Sequence, residues 1–179
     1  MNFLKKYLRI SKKNSPRKVA GVLIDMQECY LRYHTLAKRK VLIRSQYQTI
    51  DFLSKNNSPI AVLEFVKDDG RTLTIPELET KIEDILHEYF PKEDTSGFTN
   101  PDLLTRLREW EVEHLILMGI NSSFCVKYTA IDALKQGFSI STSKDLISDS
   151  QYFLHPEKWF KRNCFYYTNT VQDLLKKLQ

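Results

Sequence analysis

The chain has 179 residues, 42% of them hydrophobic and 27% charged, with a formal net charge of +5. That length suits one domain with a sizeable core, and no apolar run is long enough to cross a bilayer as a helix. Three cysteines, Cys29, Cys125 and Cys164, are too scattered for a disulfide scaffold or a zinc knuckle, so a reducing, cytoplasmic setting is expected.

The positive charge is concentrated at the start. Residues 1–18 hold seven basic groups and no acid, whereas residues 19–179 hold 20 basic and 22 acidic groups, a net charge of −2. A nucleic-acid-binding body needs a basic face, and no run in 19–179 offers one. Residues 1–18 therefore read as a basic N-terminal arm and 19–179 as the folded domain. Phe3, Leu4, Tyr7 and Leu8 are spaced for one face of a short helix. Contact with an anionic membrane and cover for apolar surface on the same domain are both open to such a helix. No apolar stretch follows the charges, so the arm is not a secretory signal.

Residues 19–24 are continuously apolar, as in a central parallel strand buried on both faces. Residues 36–53 carry apolar positions at helical spacing, and the run Asn56-Asn57-Ser58-Pro59 stops that helix. A second strand is predicted at 60–66. Asp69-Gly70 is a turn signal after which 71–75 is expected to return as a short hairpin strand. Pro76 can open a helix reaching Leu86, and Tyr89-Phe90 begins a short third strand leading to Lys92. Asn100-Pro101 fits an N-cap with proline at the first helical position. The fourth strand is 115–118, followed by a helix over about 123–136 that Gly137 ends. Residues 138–141 and 164–167 read as strands five and six, and 171–178 as a closing helix. This alternation predicts an α/β fold, a three-layer α-β-α sandwich of Rossmann type around a mostly parallel sheet.

Ligands of such open sheets bind beyond the carboxyl ends of the strands. Three reactive groups fall there: Asp25 after the first strand, Lys92 after the third, and Cys125 where the fourth strand passes into its helix. The first amides of that helix can stabilise a thiolate. A carboxylate can take the thiol proton while an ammonium favours the thiolate, which attacks an electrophilic carbon. The protonated carboxyl then donates to a leaving amine or ammonia, and amides near 120–125 can hold the oxyanion.

Four segments resemble the isochorismatase-like cysteine hydrolases, the superfamily that also contains the nicotinamidases. They are Val22-Leu23-Ile24-Asp25-Met26-Gln27; Pro91-Lys92 with Ser96-Gly97-Phe98; Gly119-Ile120-Asn121-Ser122-Ser123-Phe124-Cys125-Val126; and Thr129-Ala130-Ile131-Asp132-Ala133 with Gly137-Phe138. The resemblance implies an Asp25, Lys92 and Cys125 catalytic triad and a cis peptide between Ile120 and Asn121. It also implies an oxyanion loop that includes Ile120, Asn121 and Phe124, a small-molecule substrate and a homo-oligomer. Zinc-dependent nicotinamidases place an aspartate and two histidines after the second strand. Here residues 64–71 contain no histidine, and His34, His87, His114 and His155 lie far apart in the chain. No catalytic metal and no cofactor are therefore expected, which weakens a nicotinamidase reading. Ser123 stands where the family usually has asparagine, and Glu93 and Asp94 make the surroundings of Lys92 acidic.

Other candidates carry two readings each. Gln27 either orients substrate or satisfies a buried amide, and Glu64 either faces the pocket or is an ordinary ion-paired glutamate. Tyr30, Phe65, Phe98 and Phe124 line the pocket or join the core. Cys29 reads as loop packing more than as a resolving thiol, and Cys164 as a core strand residue. Tyr152, Phe153, Trp159 and Phe160 either cover the site or form an interface.

The leading expectation is a metal-independent cysteine hydrolase that cleaves a small-molecule amide or carbamoyl C–N bond through an intermediate on Cys125. The alternatives are a vinyl-ether hydrolase of the isochorismate type, which needs Asp25 but no covalent adduct, and a binding protein on the same fold. Deleting residues 1–18 is expected to leave cooperative melting intact; loss of the cooperative transition would make the arm structural.

Overall fold

The computed structural model describes residues 18–67, 70–71 and 73–179. The arm helix and its membrane contact, and the turn at Asp69, lie outside the described residues. Lys18 is already tied to the body: its carbonyl accepts from the Glu113 and His114 amides, and its ammonium pairs with Glu111.

The chain forms β1 (Val19–Ile24), α1 (Glu28–Leu31), α2 (Leu36–Lys55), β2 (Ile60–Lys67), β3 (Gly70–Arg71), α3 (Pro76–Ile82), β4 (His87–Lys92) and α4 (Pro101–Glu109). It continues through β5 (His114–Ile120), α5 (Cys125–Lys135), β6 (Ser139–Ser143), β7 (Ile147–Ser148), α6 (Glu157–Asn163), β8 (Tyr166–Thr168) and α7 (Val171–Leu178). The main sheet runs β4-β2-β1-β5-β6-β8 with every pair parallel. β7 extends the end of β5, and β3 folds back antiparallel on β2. The chain builds outward from β1 through β2 to β4, then returns to lay β5 on the other side of β1. The switch point between β1 and β5 is where ligands bind in sheets of this kind.

Both faces of the sheet are covered, which is why β1 and β5 read as unbroken apolar runs. Ala20, Val22, Ile24, Leu115 and Leu117 pack on one face with Leu103 and Leu107 of α4, Val126 and Ala130 of α5, and Phe160 of α6. Leu23, Ile116, Met118 and Ile120 pack on the other with Leu42, Ile50 and Leu53 of α2, Leu78 of α3, and Val171 and Leu174 of α7. Among the described residues no helix is long and apolar enough to cross a membrane.

Several elements depart from the expectations. The helix after Pro76 stops at Ile82, and β4 starts earlier than expected, at His87. Pro91 is accommodated in β4 because that strand pairs only with β2 and is an edge. In place of a strand over 71–75, β3 covers two residues and Thr74 makes an isolated bridge to Gln27. Trp159 and Phe160 belong to α6 and pack into the core, because their helix closes one face of the sheet. Cys164 caps the end of α6, ahead of the last strand.

Gly119 stands opposite Ile24 in the β1–β5 ladder. Its φ of +130° and the 2.1 Å that would separate an added Cβ from the Ile24 carbonyl oxygen require glycine. Gly119→Ala is therefore expected to lower unfolding stability by about 3 kcal/mol or more, read from urea denaturation.

Candidate active site

Asp25 follows β1 directly, with φ at +52°, a left-handed conformation that aspartate tolerates better than most residues. Its amide donates to the Leu63 carbonyl at 3.0 Å, which turns the side chain out of the strand's alternation. Lys92 ends β4, two strands away, and its side chain is fully buried. The ammonium reaches Asp25 Oδ2 at 3.0 Å, donates to the Asp94 carbonyl at 3.1 Å and lies 4.6 Å from the Phe65 ring centroid. A buried ammonium needs partners of this kind.

Gln27 sets the strand between them. Its Nε2 donates to the Phe65 carbonyl and its Oε1 accepts from the Phe65 amide, both at 3.0 Å. The side-chain amide thus prolongs the β1–β2 ladder past the end of β1. Because Phe65 stands opposite Lys92 in the β2–β4 register, this bond also fixes the ring beneath the ammonium. Gln27 holds the strand end through these two bonds. Glu64 is fully buried, and its Oε1 accepts from the Thr74 amide at 2.8 Å and the Thr74 hydroxyl at 3.0 Å. Tyr30 meets Phe65 edge-on at 6.2 Å. Phe98 packs against Phe138 at 6.1 Å and joins the core under α4 and α5. It therefore stands apart from the group around Lys92: its short 3-10 turn, Gly97–Thr99, points the ring inward.

Cys125 opens α5 and is half-buried beside Asp25. Burial pushes its thiol up to about 12, and the Asp25 carboxylate adds to that while Lys92 opposes it. Desolvation and the carboxylate neighbour thus act against the thiolate, and the Lys92 ammonium acts for it. Asp25 is raised from the usual carboxylate value, chiefly by burial; Lys92 and the thiol pull it down and Glu64 pushes it up. Asp25 Oδ1 has no hydrogen-bond partner among the described residues, which leaves it open to a proton or a substrate.

The Ile120–Asn121 peptide is cis, and Ile120 itself is buried in the core. In the loop that follows, four amides have acceptors. Ser122 donates to the Ser148 carbonyl at 2.9 Å, Phe124 and Val126 both donate to Asn121 O, and Ser123 donates to Asp149 Oδ1 at 3.0 Å. The Asn121 and Cys125 amides belong to the same loop and helix start.

Sequence reasoning missed the support behind this loop. Asp149 is buried and accepts from the Ser122 hydroxyl and from the Ser123 hydroxyl at 2.6 Å. Burial alone would raise Asp149, but hydrogen bonds from His155, Ser122 and Ser123 outweigh it and hold its carboxyl low. His155 Nδ1 lies 2.6 Å from Ser122 Oγ and its Nε2 lies 2.8 Å from the Tyr167 hydroxyl. These residues come from three separate segments, and no spacing in the chain announces them. Among the described residues no three of His, Cys, Asp and Glu gather as a metal site.

The isochorismatase domain family matches residues 19–173. The uncharacterized isochorismatase family protein YaaI of Bacillus subtilis (strain 168) is 39% identical over 72 residues, 40% of this chain and 40% of its own length. The matched stretch is therefore well short of two thirds of that relative. The N-carbamoylsarcosine amidase of Thermoplasma acidophilum superposes with a TM-score of 0.71 at 18% identity, covering 86% of this chain and 96% of the amidase. The nicotinamidase SaPncA of Staphylococcus aureus superposes with a TM-score of 0.64 at 18% identity, covering 76% and 87%. At such identities the likeness of the two structures is one of fold.

The electrostatics around the thiol give a signed prediction. Asp25→Asn removes a negative neighbour, so Cys125 should titrate below its value of about 12; Lys92→Met should move it upward. The pH dependence of iodoacetamide labelling at Cys125, mapped by peptide mass, reads both shifts.

Proposed function

The chain belongs to the isochorismatase family of hydrolases, and from that premise we propose that it is a cysteine hydrolase of small-molecule amide or carbamoyl C–N bonds. The observation that carries this reading is the buried Asp25–Lys92 pair at 3.0 Å beside Cys125, at the switch point of the sheet. The name of one structural neighbour, an N-carbamoylsarcosine amidase, supports the bond type.

In the proposed cycle the substrate carbonyl sits against the Asn121 and Cys125 amides. Asp25 takes the thiol proton as sulfur attacks the carbonyl carbon, and the oxyanion falls to those two donors. Lys92 keeps the carboxylate in place and compensates its charge before the proton arrives. As the tetrahedral adduct collapses, the C–N bond breaks and Asp25 returns the proton to nitrogen, so ammonia or an amine leaves and a thioester remains on Cys125. Water then attacks the thioester with Asp25 as its base, and the acid product departs with the thiol restored.

The proposed cycle uses no metal: Glu64, the other carboxylate beside Asp25, is bonded to Thr74, and His114 lies at the far end of β5. The reading carries with it a cytoplasmic setting, in which Cys29, Cys125 and Cys164 stay free thiols, and a homo-oligomeric state.

A panel of small amides and carbamoyl compounds, read by ammonia release, tests the reading with wild type beside Cys125→Ala and Asp25→Asn. Each substitution is expected to cut turnover by about 1,000-fold or more. Ammonia release that persists in Cys125→Ala would overturn the covalent route.

A further inference from the structure

The segment between Asp149 and His155 is built in an unusual way: both of its ends are fastened to one hydroxyl. Asp149 accepts from Ser122 Oγ at the start of the segment, and His155 Nδ1 meets the same oxygen at 2.6 Å at its end. A carboxylate can only accept, so Ser122 donates to Asp149 and accepts from His155 Nδ1–H. In the neutral ring Nε2 then accepts from Tyr167. The anchor is rigid: Ser122 is fully buried, and the His155 ring is stacked on Phe160 and Tyr167 at 5.8 and 6.3 Å. Ser122 is also three residues before Cys125, in the same tight loop.

Between these anchors the segment exposes Tyr152 (70%), Phe153 (44%) and Leu154 (92%). The Phe153 ring meets Phe124 edge-on at 4.8 Å. Phe124 immediately precedes Cys125 and is itself 39% exposed. Two half-exposed aromatic rings therefore stand together, one of them on the residue adjoining Cys125, where the core does not bury them.

Resting on the hydrolase reading, we propose that the 149–155 segment is the specificity element of the cysteine site. Phe153 and Phe124 form an apolar rim for the group that flanks the scissile carbonyl, and Ser122 is the positioning residue that keeps the rim in register with Cys125. The substrate class is thereby narrowed to amides or carbamoyl compounds with a planar or apolar flank.

The test uses iodoacetamide and N-benzyl-2-iodoacetamide as probes on the full chain, with labelling at Cys125 resolved by peptide mass. The rate ratio of benzyl to parent probe at Cys125 is compared with the ratio for glutathione. Wild type should favour the benzyl probe, and Phe153→Ala should lower the ratio about fivefold. Ser122→Ala and His155→Ala cut the clamp at two independent points while leaving both rings in place, and each should lower the ratio in the same direction.

A wild-type ratio no higher than that of glutathione, or an unchanged ratio in Phe153→Ala, overturns the rim. Unchanged ratios in both clamp variants overturn the positioning role of Ser122. A ratio that climbs with protein concentration assigns the rings to contact with a second copy of the chain and also overturns the proposal. Absence of labelling at Cys125 by either probe is a separate result: it removes the nucleophile, and with it the hydrolase reading on which this inference stands.

Discussion

The arrangement depends on one buried ion pair. Asp25 and Lys92 come from strands that are not neighbours, and β2 runs between them. Isolated, either charge would be expelled from this interior or neutralised. Together they are tolerable because each has further support. The ammonium has the Asp94 carbonyl and the Phe65 ring, and the carboxylate has the thiol as a neighbour. The pair ties the ends of β1 and β4 together across β2, and it leaves one carboxylate oxygen, Oδ1, without a partner among the described residues. The same carboxylate therefore braces the sheet and has the Cys125 thiol as a neighbour.

Much of the architecture was legible because the main strands are buried on both faces. A run such as Val19–Ile24 has no solvent side to vary, so its composition alone marks a central strand. Helix starts were readable where a cap and a proline coincide, as at Asn100-Pro101, whose side chain does accept from the Asp102 amide. The positions of Asp25, Lys92 and Cys125 followed from strand ends combined with the rule that parallel sheets gather their carboxyl ends.

What escaped the sequence is what only tertiary contact defines. Gln27 looks like a pocket residue until its amide is seen bonding Phe65 on both sides. Phe98 sits three residues before a helix start and close to Lys92 in sequence, yet its ring turns into the core. Helix α6 was hidden because Trp159 and Phe160 sit in a polar stretch with no long apolar period. The Asp149 network joins residues more than 25 positions apart, and single-residue reasoning has no means of pairing them. The thiol's surroundings escaped for a related reason: a helix N-terminus is visible in the chain, but the burial beside Asp25 and Lys92 is not.

Pro91 has a bearing beyond the site. It stands exposed in β4, the strand at one border of the main sheet, and it lacks the amide hydrogen that a neighbouring strand would need. The opposite border is formed by β8, three residues long. Neither margin offers a template on which another chain's strand can stack at length, so copies of this protein are discouraged from joining edge to edge. Both margins are thereby poor templates for the strand pairing from which fibrous aggregates grow.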